Sequence, residues 1–146
     1  MLFNYVDKHG NVLYDMLNKK AKDHKVFFIH GGTDVEDREQ IRKIVESEQS
    51  AIIVGSVGVL STGTNIVALD NVVFASPSKS KIRNLQSIGR GLRVSETKKS
   101  ATLYDIADDF SWKSRENFTL KHFFERIKTY NEEQFKFKIY KISMVK

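Results

Sequence analysis

Arg90 and Arg93 are the residues whose type and spacing most directly suggest chemistry. On a helix, side chains three residues apart project from the same side, so both guanidinium groups can reach one anion. An arginine is always charged and donates in a fork that matches two phosphate oxygens. The pair also fits a solvated basic helix end, which the helix dipole favours. On spacing alone, the solvated helix end is the simpler interpretation.

The segment Gly55 to Asn65 has a composition suited to phosphate binding. It contains Gly55, Gly58 and Gly63 among small polar residues and has hardly any bulky side chain. Such a loop can bring backbone N–H groups and hydroxyls against phosphate oxygens, and it can equally be a tight polar surface loop. No Gly-Lys-Ser/Thr follows the glycines, so the segment is not a Walker A loop.

Five short apolar runs predict the elements that position these residues. Their nearly continuous apolar character fits strands covered on both faces, as in a parallel sheet between helices. The predicted strands are Leu2 to Val6, Val26 to Ile29, Ala51 to Val54, Val72 to Ala75 and Thr102 to Ile106. We therefore expect an α/β layered fold.

Helical segments are predicted between these strands. Apolar residues from Val12 to Leu17 form one stripe, and a second stripe follows the cap-like Thr33-Asp34. A third helix is expected over Ile82 to Leu92, weakened near its end by Gly89 and Gly91. Ligands of parallel sheets bind beyond the carboxyl ends of the strands. The predicted loops there are 30–33, 55–65, 76–81 and 108–109.

The last part of the chain, 113–146, differs in character and carries most of the net charge of +6. It has nine Lys/Arg against four Glu, or +5, which leaves residues 1–112 with 15 basic and 14 acidic side chains. A helix with Phe123 and Tyr130 in its core-facing stripe is expected, followed by a strand over Phe135 to Ile142. Lys136 and Lys138 either contact a nucleic-acid backbone or protect an edge strand.

Composition excludes several classes of protein. The chain has no cysteine, and its four histidines lack metal-ligand spacing, so we expect no bound metal in this chain. Asp105, Asp108 and Asp109 are interpreted as ending a strand and capping the next segment. No apolar run approaches the roughly 20 residues that span a bilayer, and no signal peptide is recognisable. A cytoplasmic protein without membrane contact is expected.

Three motifs resemble superfamily 2 helicases in order and separation. Gln86 to Arg93 fits Gln-x-x-Gly-Arg-x-x-Arg and looks like motif VI. The residues from Ser56 through 61–66 resemble motif V, and Leu2 to Tyr5 resemble the strand of motif IV. The loop of His30 with the later Asp37-Arg38 helix is also typical of these domains, and the tail from Phe118 is most similar to phage recombination and repair helicases.

The resemblance implies a RecA-like three-layer sandwich, the second such domain of a helicase, over 1–112. Residues 113–146 would then be a short basic helix-strand extension packed on it. Arg90 and Arg93 would be arginine fingers on ATP, with Gln86 beside the phosphate or the attacking water. The implied ATP-binding residues are Gly63, Asn65 and Gly89. The implied nucleic-acid contacts are His30, Ser56, Ser61 and Thr62, to which the basic tail adds Lys136 and Lys138.

The sequence contains only half of an ATPase site. It has no Gly-Lys-Thr phosphate loop and no Asp-Glu-x-His/Asp magnesium box, so ATP and Mg²⁺ would be held mainly by an N-terminal RecA-like domain. We expect the chain to be a fragment or a separate polypeptide, and to be inactive alone. The resemblance implies action on branched or duplex DNA and RNA–DNA hybrids in recombination, repair and replication. Two alternatives are a non-catalytic nucleic-acid-binding module with a degenerate RecA-like fold, and a small-molecule α/β enzyme.

Overall fold

A parallel sheet of five strands organises the molecule. The computed structural model describes residues 2–3, 6–48, 50–62, 69–76, 100–113 and 115–144. The strands are β1 (Leu2–Phe3), β2 (Lys25–Ile29), β3 (Ala51–Ser56), β4 (Asn71–Phe74) and β5 (Thr102–Asp105). They lie in the order β2-β3-β1-β4-β5, and every described pairing is parallel. The five predicted strands and the α/β class are confirmed.

The first strand is shorter than the predicted run to Val6. Val6–Gly10 forms a π-helical turn that leads directly into the first α-helix. The helices are α1 (Asn11–Lys20), α2 (Val35–Ser47), α3 (Val57–Thr62) and α4 (Phe118–Glu132). The predicted helix over Ile82 to Leu92 lies outside the described residues.

The helix α2 begins as the sequence predicted, with Asp34 at its N-cap position in an extended conformation. The Asp34 side chain makes no capping hydrogen bond. Glu36 and Asp37 in the first turn place negative charge near the N-terminal end of the helix dipole, which stabilises this end instead.

The core has two clusters on the sheet. Ile29, Val45 and Ile53 form one, where α2 covers β2 and β3. The other joins Val57, Val72, Phe74 and Tyr130, with Ile127 and Phe135 packed against it. Since Tyr130 and Ile127 belong to α4, the C-terminal helix covers the β4 side of the sheet.

The predicted C-terminal strand over Phe135 to Ile142 is wrong, because residues 135–144 form no regular secondary structure. Gln134 has a positive φ of 56°, which turns the chain back on α4. The Phe135 and Phe137 rings then both pack on Tyr130, with centroid distances of 6.3 and 6.2 Å. The alternating phenylalanines thus pack on a helix and do not form one face of a strand. The predicted helix is confirmed as α4.

No helix in the described part of the chain is long and apolar enough to cross a membrane.

Candidate functional site

The carboxyl edge of the sheet brings some of the predicted site residues together. Ile29 of β2 is in register with Gly55 of β3, and Gly55 is in register with Leu2 of β1. His30 and Ser56 therefore follow at adjacent positions on neighbouring strands, whose backbones are about 4.8 Å apart. Two of the residues assigned to nucleic-acid contact are thus neighbours at one edge.

The loop after β2 is held in a fixed shape by its own polar groups. The Gly32 N–H donates to His30 Nδ1, and the His30 N–H donates to Thr33 Oγ1, both at 3.0 Å. The His30 ring lies 5.3 Å from the Phe28 ring. Because Nδ1 accepts a hydrogen bond, the proton of the neutral imidazole is on Nε2. The His30 side chain and backbone thus both hydrogen-bond within their own loop.

Arg38 connects this loop to α2. Its Nε donates to the Thr33 carbonyl at 2.7 Å, and its Nη2 donates to the Gly31 carbonyl at 3.2 Å. Gly31 itself is exposed and has open space where a side chain would begin. The pairing of the His30-Gly31 loop with the Asp37-Arg38 helix, noted in the sequence, is thus a direct contact made by Arg38.

The glycine-rich segment is more ordered than the predicted loop. Gly55 and Ser56 end β3, and Val57–Thr62 forms α3 without an intervening turn. A side chain at Gly55 would collide with Leu60, so the glycine lets α3 fold back closely on β3. The expectation of a loop from residue 55 is therefore wrong up to Thr62. Ser61 and Thr62 lie in α3, and Gly63 and Asn65 lie outside the described residues.

The predicted ATP-site residues Gln86, Gly89, Arg90 and Arg93 also lie outside the described residues. Their segment follows β4, which pairs with β1 and β5. Among the described residues, no group of three or more histidine, aspartate or glutamate side chains is arranged to hold a metal ion.

A buried polar group at the end of β5 was missed by the sequence analysis. Asp105 accepts hydrogen bonds from Arg126 Nε and Nη2 and from Tyr130 Oη, each at 2.7 Å. The Arg126 and Asp105 side chains are only 2% and 8% exposed. Among the described residues, none accepts a hydrogen bond from the buried Arg126 Nη1. The available signal was an arginine within the apolar stripe of a helix, four residues before a tyrosine.

Burial and the charge of Asp105 control the ionisation of Tyr130. Burial is the larger cause and the neighbouring carboxylate the next, and both raise the pKa of the phenol far above its usual value. At Asp109, hydrogen bonds from Ser111, with a smaller contribution from Lys141, lower the pKa of the carboxyl group. Tyr130 therefore stays a neutral donor to Asp105, whereas Asp109 stays an anion.

The tail lysines lie near β5, away from His30. Lys136 and Lys138 are exposed and flank Phe137, whose ring packs on Tyr130. Tyr130 in turn contacts Asp105 at the end of β5. Because β2 and β5 are at opposite ends of the five-stranded sheet, four strand spacings, or roughly 19 Å, separate them.

A parallel sheet of this order covered by helices is a RecA-like arrangement. The family model of the helicase conserved C-terminal domain matches residues 2–95, and the chain belongs to this family. The match spans all three motifs recognised in the sequence. β5 and α4 lie beyond the matched residues.

Two relatives extend this identification. The ATP-dependent DNA helicase UvsW of Enterobacteria phage T4 is 35% identical over 147 aligned positions, which cover 94% of this chain. The chain spans only 29% of that relative's length. The solved structure of the C-terminal part of the Fun30 ATPase domain matches with a TM-score of 0.61 at 20% identity, over 90% of this chain and 47% of that one. This second likeness supports the fold, and the first confirms the resemblance to phage helicases.

Proposed function

We propose that the chain is the C-terminal motor domain of an ATP-dependent DNA helicase or translocase, and that it completes an ATPase site whose nucleotide is held by another RecA-like domain. The family match over 2–95 carries this proposal, because it includes motifs IV, V and VI in their expected order. The likeness to an ATP-dependent DNA helicase supports the same function.

In this proposal Arg90 and Arg93 reach across the domain interface to the γ-phosphate of ATP. Guanidinium groups there neutralise charge that develops as the phosphoryl group is transferred. Gln86 lies beside the phosphate or the attacking water. Gly63, Asn65 and Gly89 line the nucleotide. The other domain supplies the phosphate loop and the ligands of Mg²⁺, which this chain lacks.

DNA is the proposed polymer on which the motor acts. His30 and Ser56 are neighbours at the carboxyl edge of the sheet. In this proposal they contact the DNA backbone together with Ser61 and Thr62 of α3. Lys136 and Lys138 add positive charge on the β5 side. Relation to a phage helicase favours branched DNA or RNA–DNA hybrids in recombination, repair and replication, within the cytoplasm of an infected cell.

We also propose a division into a RecA-like unit over 1–112 and an extension over 113–146. The packing of Tyr130 and Ile127 on Val72 and Phe74 supports an extension that shares the core of the RecA-like unit. On this basis the extension contributes to the stability of the motor domain, in addition to its positive charge.

The test is ATP turnover by the intact protein that carries both RecA-like domains. Arg90→Ala and Arg93→Ala are each expected to lower DNA-stimulated kcat by about 10³- to 10⁵-fold, the usual contribution of an arginine finger. Arg42→Ala, in which the arginine contacts only Glu39 and Glu46 of its own helix among the described ion pairs, is the matched control. Turnover that survives both changes, or robust turnover by this chain alone, contradicts the proposal.

A further inference from the structure

A short hairpin after β5 presents aromatic rings to solvent. Trp112 and Arg115 are paired by two backbone hydrogen bonds, Trp112 N–H to Arg115 O at 3.0 Å and Arg115 N–H to Trp112 O at 3.1 Å. Lys113, which follows Trp112, has a positive φ of 54°. Trp112 is 74% exposed and Phe110 is 75% exposed. Two large rings are thus displayed on one small element, which we call the aromatic hairpin (residues 110–113 and 115).

The hairpin is anchored by side chains on both sides. Asn117 Oδ1 accepts from the Phe110 N–H at 3.0 Å, while Asn117 Nδ2 donates to the Asp108 carbonyl at 2.8 Å. Thr119 Oγ1 donates to the same carbonyl at 2.8 Å. Asp109 Oδ1 accepts from the Ser111 N–H at 3.0 Å. These bonds fix the hairpin between β5 and α4, which reduces the entropy lost when the rings bind a ligand.

Arg115 lies on the same face as Trp112. Residues directly opposite each other in an antiparallel pair have their Cβ atoms about 5 Å apart on one face of the ribbon. An aromatic ring and a guanidinium group therefore leave the ribbon on the same face, and Lys113 adds a second positive charge to the hairpin. This combination suits a ligand that has both a flat aromatic surface and phosphates.

The C-terminal tail extends this surface. Lys141 Nζ lies 3.9 Å from Asp109 Oδ2, which brings the tail against the base of the hairpin. Tyr140, the residue before Lys141, is 76% exposed. A third exposed ring thus belongs to the tail segment that reaches the base of the hairpin through Lys141.

We propose that the aromatic hairpin, with Tyr140, is a stacking site for the bases of single-stranded nucleic acid. Stacking on an aromatic ring is available to every base, and neighbouring cations attract the backbone. Aromatic residues and arginine are also common in protein interfaces, but lysine is depleted there, so Lys113 and Lys141 beside the rings favour an anionic partner. The location supports the proposal, since the chain leaves β5 toward the hairpin at the carboxyl edge of the sheet, and His30 follows β2 at the same edge, four strand spacings away. This inference rests on the proposed function in taking nucleic acid as the partner.

Trp112 is the single tryptophan of the sequence, so the intrinsic fluorescence of the chain reports on this site. The probe is an unlabelled oligodeoxythymidylate, added to the 146-residue chain without ATP. Stacking is expected to quench the fluorescence, and an oligonucleotide of equal length with abasic positions is expected to quench it far less. The quenching by an oligouridylate of the same length is measured in parallel, to compare single-stranded RNA with single-stranded DNA.

Affinity is measured separately, by the anisotropy of a labelled oligonucleotide, for variants of the exposed ring. Trp112→Ala is expected to weaken binding about 5- to 150-fold, the usual range for one stacked base, and Trp112→Phe to restore most of it. Phe124→Ala is the control, because this ring is also exposed, at 43%, but belongs to α4 and not to the hairpin. Unchanged thermal unfolding of each variant shows that the fold is retained.

Three outcomes overturn the proposal. Equal quenching by thymidylate and abasic strands means that charge alone attracts the strand, and wild-type affinity in Trp112→Ala means that the ring is not used. If Trp112→Ala instead abolishes self-association in sedimentation, the surface binds a second copy of the chain. None of these readouts involves ATP, so a failure here leaves the arginine-finger proposal standing, and a failure of that proposal leaves this one standing.

Discussion

Arg126 of α4 donates two hydrogen bonds of 2.7 Å to the carboxylate of Asp105, at the carboxyl end of β5. This buried pair fastens the C-terminal helix to the edge strand of the sheet, and the Tyr130 hydroxyl donates to the same carboxylate. The apolar contacts of α4 cover the sheet, whereas the ion pair fixes the position of the helix along it.

Removal of Asp105 is expected to be strongly destabilising. Asp105→Ala leaves the guanidinium of Arg126 buried without its counter-ion, which costs about 3–5 kcal/mol in comparable cases. Urea denaturation measures the change in the free energy of unfolding. Asp109→Ala, four residues later and 41% exposed, is the control and is expected to have a much smaller effect. Equal stability of the two variants contradicts an anchoring role for Asp105.

The alkaline stability of the chain is expected to depend on Tyr130. Burial and Asp105 raise the pKa of its phenol in the folded state, whereas the pKa of an unfolded tyrosine is about 10. Above about pH 10 the unfolded chain loses this proton while the folded chain keeps it, so stability falls as pH rises. Below that pH the contribution is fully present.

Tyr130→Phe should therefore flatten the loss of stability above about pH 10, measured by urea denaturation across a pH series. It should also lower stability near neutral pH by about 1 kcal/mol or more, because the hydrogen bond to Asp105 is lost. Tyr104→Phe changes a ring that is 53% exposed and should keep the wild-type slope. A slope that is the same in all three proteins would show that Tyr130 does not cause it.

Gly55 and Gly58 are expected to respond in opposite directions to alanine. At Gly55 an added methyl group meets Leu60, and forcing extra atoms into a packed site typically costs about 1–3 kcal/mol. At Gly58, within α3, nothing lies within 4 Å of the added atom, and alanine is favoured over glycine in helices by about 0.5–1 kcal/mol. Thermal unfolding of the two variants measures both. A destabilised Gly58→Ala with an unaffected Gly55→Ala would refute the close packing of α3 on β3.

Arg38 is expected to control the order of the loop after β2. Arg38→Met removes the hydrogen bonds to the Thr33 and Gly31 carbonyls, so amide hydrogen exchange at residues 30–33 should accelerate. Arg42→Met, one turn later on the same helix, removes contacts with Glu39 and Glu46 only and should leave exchange in the loop unchanged. If both variants accelerate exchange equally, α2 as a whole has loosened and the specific role of Arg38 fails.

The tail lysines are expected to contribute to DNA affinity through counter-ion release. Loss of each phosphate contact to a single strand should reduce the magnitude of the slope of log K against log salt by about 0.7. Lys136→Gln with Lys138→Gln should therefore weaken binding and flatten this slope. Lys19→Gln with Lys20→Gln, in the last turn of α1, removes the same charge elsewhere. An equal effect of both double variants would indicate general attraction to a basic protein without a local contact.

The strands and the family motif could be predicted because each depends on residues that are close together in the sequence. Continuous apolar runs can be recognised without tertiary structure, and all five became parallel strands. The motif at Gln86 to Arg93 indicated the family through the spacing of four residues. The glycine-rich segment predicted a loop where the chain forms the end of β3 and α3, because glycine suits a loop and also suits a close approach such as that of Leu60 to Gly55.

The sequence by itself thus determined the α/β class, the helicase family and the basic tail. Only the tertiary structure decided how the C-terminal segment packs on the sheet. Asp105 and Arg126 are 21 residues apart, and nothing local indicates that one neutralises the other in the core. The alternation of lysine and phenylalanine likewise predicted a strand. In the structure the chain reverses direction at Gln134, and the Phe137 ring packs on Tyr130. Partner choice between distant residues depends on which surfaces the whole fold brings together, and a local pattern does not contain that information.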